Sequence, residues 1–230
     1  MKLFSLKAVF VSALATLSIA SGNASAIPFS VTSASFTPGA GYGIDVNSSG
    51  SPVENANSTL LDVRFSTLAF VTQNFELNSV GEFKTFNIGT IDFREPNGSQ
   101  GIRPAETDFL TVIATLMFAN PESGNKVINA IGQATPGSTQ DGDVDLTINW
   151  ASQTVAFGNT GQYQIDFTDL SFTRASEGTG ADITSGLRNA EVRVTLLALD
   201  QATVPEPSSL ALAGLGLLAV GFTSARRRKH

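Results

Sequence analysis

Asn189-Ala190-Glu191-Val192-Arg193-Val194-Thr195-Leu196-Leu197-Ala198 alternates apolar and polar residues over most of its length. Successive side chains of an extended chain point to opposite faces. Ala190, Val192, Val194 and Leu196 therefore share one face, and Glu191, Arg193 and Thr195 share the other. A period of two with one apolar face predicts a strand buried on one side and wet on the other, as in antiparallel sheets. Two more stretches read the same way. In 143–150, Val144, Leu146, Ile148 and Trp150 oppose Asp145, Thr147 and Asn149, and in 162–167, Tyr163, Ile165 and Phe167 oppose Gln162, Gln164 and Asp166.

Working outward, 109–118 is apolar on both faces and reads as a central strand. Two segments slip in parity. Phe86 and Ile88 are followed by Ile91 and Phe93 with Gly89 between them, and Tyr163, Ile165 and Phe167 are followed by Leu170 and Phe172. An extra residue that flips the alternation is the mark of a β-bulge. Turn-rich stretches at 47–58, 95–104, 121–125, 135–142 and 176–186 separate the strands. No helix of about 12 residues with a 3.6 period is visible between 27 and 203. Eight or more short strands without a repeat predict an all-β, antiparallel two-sheet β-sandwich, jelly-roll or Ig-like, with the sixteen Phe mostly in its core.

Charge and composition narrow the chemistry. Residues 27–204 carry eight Lys/Arg and nineteen Asp/Glu, a net of −11, because six of the fourteen basic residues lie outside that region. An acidic domain repels phosphate backbones, so no nucleic-acid partner is expected. The chain has no cysteine, and its one histidine is His230. Disulfides, Cys/His zinc sites and Ser-His or Cys-His catalysis are thereby excluded, and no enzyme is expected.

The two ends carry an address. Lys2 and Lys7 precede a short apolar run, 8–20, and Ala24-Ser25-Ala26 presents small residues to signal peptidase. The expectation is a signal peptide, 1–26, read by the Sec translocon and cut after Ala26. The alternative is a permanent anchor, for which the apolar run is short. At the other end, Val204-Pro205-Glu206-Pro207 leads into an uncharged run, 208–225, followed by Arg226, Arg227, Arg228 and Lys229. The run is long enough to cross a bilayer as one helix, and the cations behind it mark the cytoplasmic side. Pro205 and Pro207 keep the segment before it extended.

Those three parts in that order resemble the PEP-CTERM sorting signal of Gram-negative bacteria, over the last 27 residues, 204–230. The resemblance implies recognition by an exosortase, which cuts near Pro205-Glu206-Pro207. The domain is then released or passed to an envelope acceptor. An ordinary anchor after a proline-rich spacer is the bland alternative. The expected itinerary is export, transient inner-membrane anchoring, then the envelope, cell surface or medium.

A second resemblance covers 62–199. Phe86-Asn87-Ile88-Gly89, then Asn97-Gly98, then a strand ending Phe118-Ala119-Asn120-Pro121, is similar to the choice-of-anchor K domain of exported bacterial proteins. Ile88 stands where leucine is usual, and the spacing to Asn97-Gly98 is longer. It implies a β-sandwich carried by various anchors and offers no catalytic residues.

Within the domain (27–203), Asp141, Asp143 and Asp145 are three carboxylates at alternate positions, a pattern that can gather oxygens round calcium. The full EF-hand loop fails, because its sixth and twelfth positions are Leu146 and Ser152. A polar turn entering a strand, with Asp145 on the wet face, is the plain alternative. Glu106 with Asp108, or Asp166 with Asp169, offer acid–base pairs for glycoside chemistry. Of the rings with a polar tip, Trp150 and Tyr163 read as inward, which leaves Tyr42 for a sugar face. The function expected is therefore a structural or adhesive envelope or matrix protein associated with exopolysaccharide and biofilm. A calcium-assisted carbohydrate-binding module is the alternative, and no cofactor other than calcium is expected.

Overall fold

The computed structural model of the chain describes residues 26–44, 59–95, 101–176 and 184–200. Strands form where the alternation is strongest. They are β1 (Ile27–Pro38), β2 (Tyr42–Gly43), β3 (Leu61–Ser66), β4 (Gln73–Leu77), β5 (Phe83–Phe93), β6 (Thr111–Asn120), β7 (Gly124–Ala134), β8 (Leu146–Trp150), β9 (Gln153–Phe157), β10 (Gly161–Phe167), β11 (Leu170–Phe172) and β12 (Leu187–Ala198). Helix is limited, among the described residues, to one 3-10 turn, Pro104–Glu106.

The strands make two six-stranded sheets, in the orders β11-β8-β7-β6-β1-β4 and β2-β3-β5-β12-β10-β9. All neighbours are antiparallel except β2 and β3, which are parallel. Rings bridge the sheets. Phe29 and Phe118 of the first meet Tyr163 of the second at 5.2 and 5.5 Å, and Phe93 meets Phe172 at 5.8 Å. Each buried ring adds roughly 1.5–3 kcal/mol of apolar burial, and offset or edge-on pairing adds about 1 kcal/mol more. The core is one cluster running between the sheets.

The two parity slips have different causes. In β5, Ala190 pairs with Gly89 and Glu191 with Asn87, so the register jumps over Ile88 in a bulge. The Gly89 N–H bonds the Asn87 side chain at 2.9 Å, and a Cβ at Gly89 would overlap the Ser66 carbonyl of β3. The second slip is a change of sheet. β10 pairs with β12 and β9, whereas β11 pairs with β8 in the other sheet. Thr168 and Asp169 carry the chain across, so Phe167 and Leu170 both point into the core from opposite sides.

Two further expectations change. β6 is central, between β7 and β1, but it begins at Thr111, leaving Phe109 outside it and 79 % exposed. β8 begins at Leu146, so Val144 is exposed, while Asp145, expected on the wet face, is buried. The Asp145 backbone is held between the end of β7 and β11, by Thr135 N–H to Asp145 C=O and Asp145 N–H to Phe172 C=O.

The outer faces of the sheets contrast. Register places Ser33-Met117-Asn125, Ser35-Thr115-Val127, Thr37-Ile113-Asn129, Thr111-Ile131-Asn149 and Gln133-Thr147-Ser171 in rows across the first sheet. None of these side chains is charged. The outside of the second sheet carries Arg64 beside Asp92 and Asp166 beside Arg193, with Glu191 between.

Candidate functional site

The acidic turn is real, but its three carboxylates have different environments. Asp141 Oδ1 accepts the Asp143 N–H at 3.0 Å, an ordinary way for Asp to close a turn. Both residues are exposed. Asp145 is 4 % exposed, and its Oδ2 has no hydrogen-bond partner. Burial, then the charges of Asp141 and Asp143, push its pKa up to about 6. Among the described residues no group of three or more His, Cys, Asp or Glu is placed to hold a metal ion. The turn brings Asp141 and Asp143 near Asp145 without forming a calcium cage.

The carboxylate pairs are occupied by the fold in three of four cases. Glu106 is buried, and its Oε2 accepts the Arg103 N–H at 2.7 Å at the mouth of the 3-10 turn. Asp166 accepts from the Gln164 amide at 2.9 Å, and Asp169 from the Trp150 N–H at 2.8 Å. Asp108 is exposed. Glu106 and Asp108 thus differ in surroundings, one capping a turn and the other facing water.

The rings with polar tips face inward. Tyr163 is fully buried among Phe29, Phe118 and Phe157, and Trp150 stacks on Phe167 at 4.6 Å. Tyr42, the residue left for a sugar face, is also buried, its hydroxyl against Gly132, where a Cβ would overlap it. Neither tyrosine hydroxyl has a hydrogen-bond partner, and burial raises the pKa of both.

Phe109 also departs from its expected place in a strand. It has φ 59°, the left-handed region where a non-glycine residue is strained, and no other described non-glycine residue has positive φ. Two backbone donors fix it there: Thr111 N–H at 2.9 Å and Gly41 N–H at 3.3 Å both bond the Phe109 carbonyl. A Cβ on Gly41 would overlap the Asp108 carbonyl, so the 39–41 turn must be glycine-rich to come this close. The signal was present in the alternation. Leu110, Val112, Ala114, Leu116 and Phe118 are buried, which puts Phe109 on the opposite parity. Next to it, a cavity of about 310 Å³ is lined by Phe109, Asp108, Thr59, Leu60, Gly41 and Ala105. A larger hollow of about 430 Å³ lies along the β1–β4 edge, over Ser30, Asn74, Glu76 and Asn120.

Ala24, expected at a signal-peptidase site, and Pro205, Glu206, Pro207, Arg226, Arg227 and Arg228, expected to direct sorting, lie outside the described residues; Ala26 is the first described. Among the described residues no helix is long and apolar enough to cross a membrane, and the 208–225 run is not among them. Comparison with known families matches residues 203–229 to the PEP-CTERM protein-sorting motif. No curated protein and no solved structure matches the chain. The motif implies an exported protein, processed by an exosortase and sorted to the cell envelope.

Proposed function

We propose that this chain is a non-enzymatic structural or adhesive protein of the envelope or extracellular matrix, associated with exopolysaccharide. In this reading 1–26 is a signal peptide, and 208–225 spans the inner membrane until the exosortase acts. The sorting motif supports the route. The observation that carries the adhesive role is the patch of five uncharged rows on the outer face of the first sheet, bounded by Glu76 on the β4 edge, in a domain whose 27–204 region has a net of −11. Hydroxyl and amide groups alternate there with Val127, Ile131 and Met117, exposed at 45, 62 and 40 %. Such a face meets an uncharged, hydroxyl-rich polymer without stripping water from ions.

The test places charge on the face. Thr115→Lys with Asn129→Glu in the full chain should leave the thermal midpoint within about 2–3 °C, since both positions are on the outer surface. The amount retained on the producer's exopolysaccharide should fall severalfold. Equal retention would remove the face from the adhesive role.

A carbohydrate-binding module is the second reading, favoured by the solvent-projecting Phe109 ring. Among the described residues no trio of carboxylates is placed for a metal.

A further inference from the structure

We propose that the hollow beside Phe109 is a binding subsite for a neutral pyranose unit, with the Phe109 ring as its stacking platform and Asp108 as its hydroxyl acceptor. The geometry has two features that a merely structural loop does not explain. A phenylalanine is held in a left-handed backbone, at φ 59°, and its ring is left 79 % in water. Both features oppose folding, and glycine would remove both. The surrounding structure nonetheless over-determines the conformation, through the Thr111 and Gly41 N–H bonds to the Phe109 carbonyl and the close approach of Gly41 to Asp108. Strain enforced in this way gathers at ligand clamps.

The chemistry of the lining then selects the ligand class. The cavity of about 310 Å³ lies at the small end of ligand sites and suits one sugar ring. Of the lining residues, Leu60, Ala105 and Phe109 bring apolar side chains, and Asp108 and Thr59 bring a carboxylate and a hydroxyl. The negative face of an aromatic ring attracts the polarised C–H bonds on the apolar side of a pyranose, while a carboxylate accepts from its hydroxyls. Asp108 and the excess of acid in the domain repel uronate or sulfated units, so the sugar is uncharged. Phe109 follows the 3-10 turn and precedes β6, a central strand, so the platform sits on a rigid support.

This subsite gives the glycan-binding reading its place and rests on it, but not on the uncharged patch of the first sheet or the sorting tail. Its test is separate from theirs. The purified full chain is titrated with neutral hexasaccharides of β-1,4-glucose, α-1,4-glucose and β-1,4-N-acetylglucosamine, followed by calorimetry and by saturation-transfer NMR. At least one should bind with a Kd below about 1 mM, with magnetisation passing to the C–H protons of one pyranose face. Phe109→Gly should weaken binding tenfold or more while melting no lower than the parent chain, because it relieves the left-handed strain. Phe109→Trp should keep or improve binding, and Asp108→Asn should weaken it severalfold. Hexagalacturonate should bind at least tenfold more weakly than the best neutral probe. Absence of binding to all three neutral probes, or equal binding by Phe109→Gly, overturns the proposal. Loss of adhesion in the Thr115→Lys/Asn129→Glu chain with subsite binding intact would separate the two surfaces.

Discussion

Asp145 carries the clearest electrostatic cost in the fold. It is buried with an unpartnered Oδ2, and the charges of Asp141 and Asp143 act on it through the same turn. Its carboxyl titrates near 6 in the folded chain, against ~3.9 for a free Asp side chain. Between those values the folded state binds more protons than the unfolded state, so stability falls as pH rises from 4 to 6 and stays lowered above. Asp145→Asn should therefore raise the unfolding free energy at pH 7 by about 1–2 kcal/mol, allowing for water at the exposed turn, and change it little at pH 4. Urea midpoints at the two pH values measure this, and an equal effect at both would show that ionisation is not the cause. The sequence marked the carboxylates but not this difference between them. Alternation assigned Asp145 to the wet face, and only its backbone bonds to Thr135 and Phe172 explain why it is covered.

At the scale of elements, the bulge in β5 and the break between β10 and β11 left the same trace, a lost beat in the apolar alternation. A bulge keeps the chain in one sheet and turns the extra residue aside, while a crossing sends the next strand to the opposite wall of the core. Both restore inward-facing apolar residues, so local periodicity cannot separate them. Gly89 supplies a test of the first. Gly89→Ala drives a methyl group into the Ser66 carbonyl of the neighbouring β3 backbone, which cannot rotate away, and should cost about 2–3 kcal/mol. Gly81→Ala, where nothing lies within 4 Å and φ is +87°, should cost about 1 kcal/mol from backbone strain alone. Chemical denaturation of the two variants ranks them, and a reversed order would mean that β3 gives way at the bulge. Phe109 belongs to this scale as well. The apolar run predicts strand through it, whereas the strand starts two residues later at Thr111. Helix and strand starts are set by partners, and here the partner is the 39–41 turn.

For the whole molecule, the sorting tail and the folded domain make separable statements. Changing Pro205, Glu206 and Pro207 together to Ala should block processing, so that a longer form accumulates in the membrane fraction while the domain itself folds as before. Immunoblots of membrane and released fractions read the outcome, and unchanged release would reduce the tail to a simple anchor. The route was legible in the sequence, because a sorting signal is read as a short linear string by a protease and needs no tertiary context. So was the all-β class, because the period of two is a property of the extended chain itself, visible in 189–198 and kept as β12. What the tertiary structure alone decided was which strands meet and what their outer faces present. The five uncharged rows exist only because Ser35, Thr115 and Val127, far apart along the chain, are brought side by side by pairing of β1, β6 and β7. The Phe109 hollow likewise exists only because the 39–41 turn and the entry to β6 meet there. Alternation fixes which way a side chain points from its own strand; the neighbours it acquires depend on long-range register, which no local pattern contains.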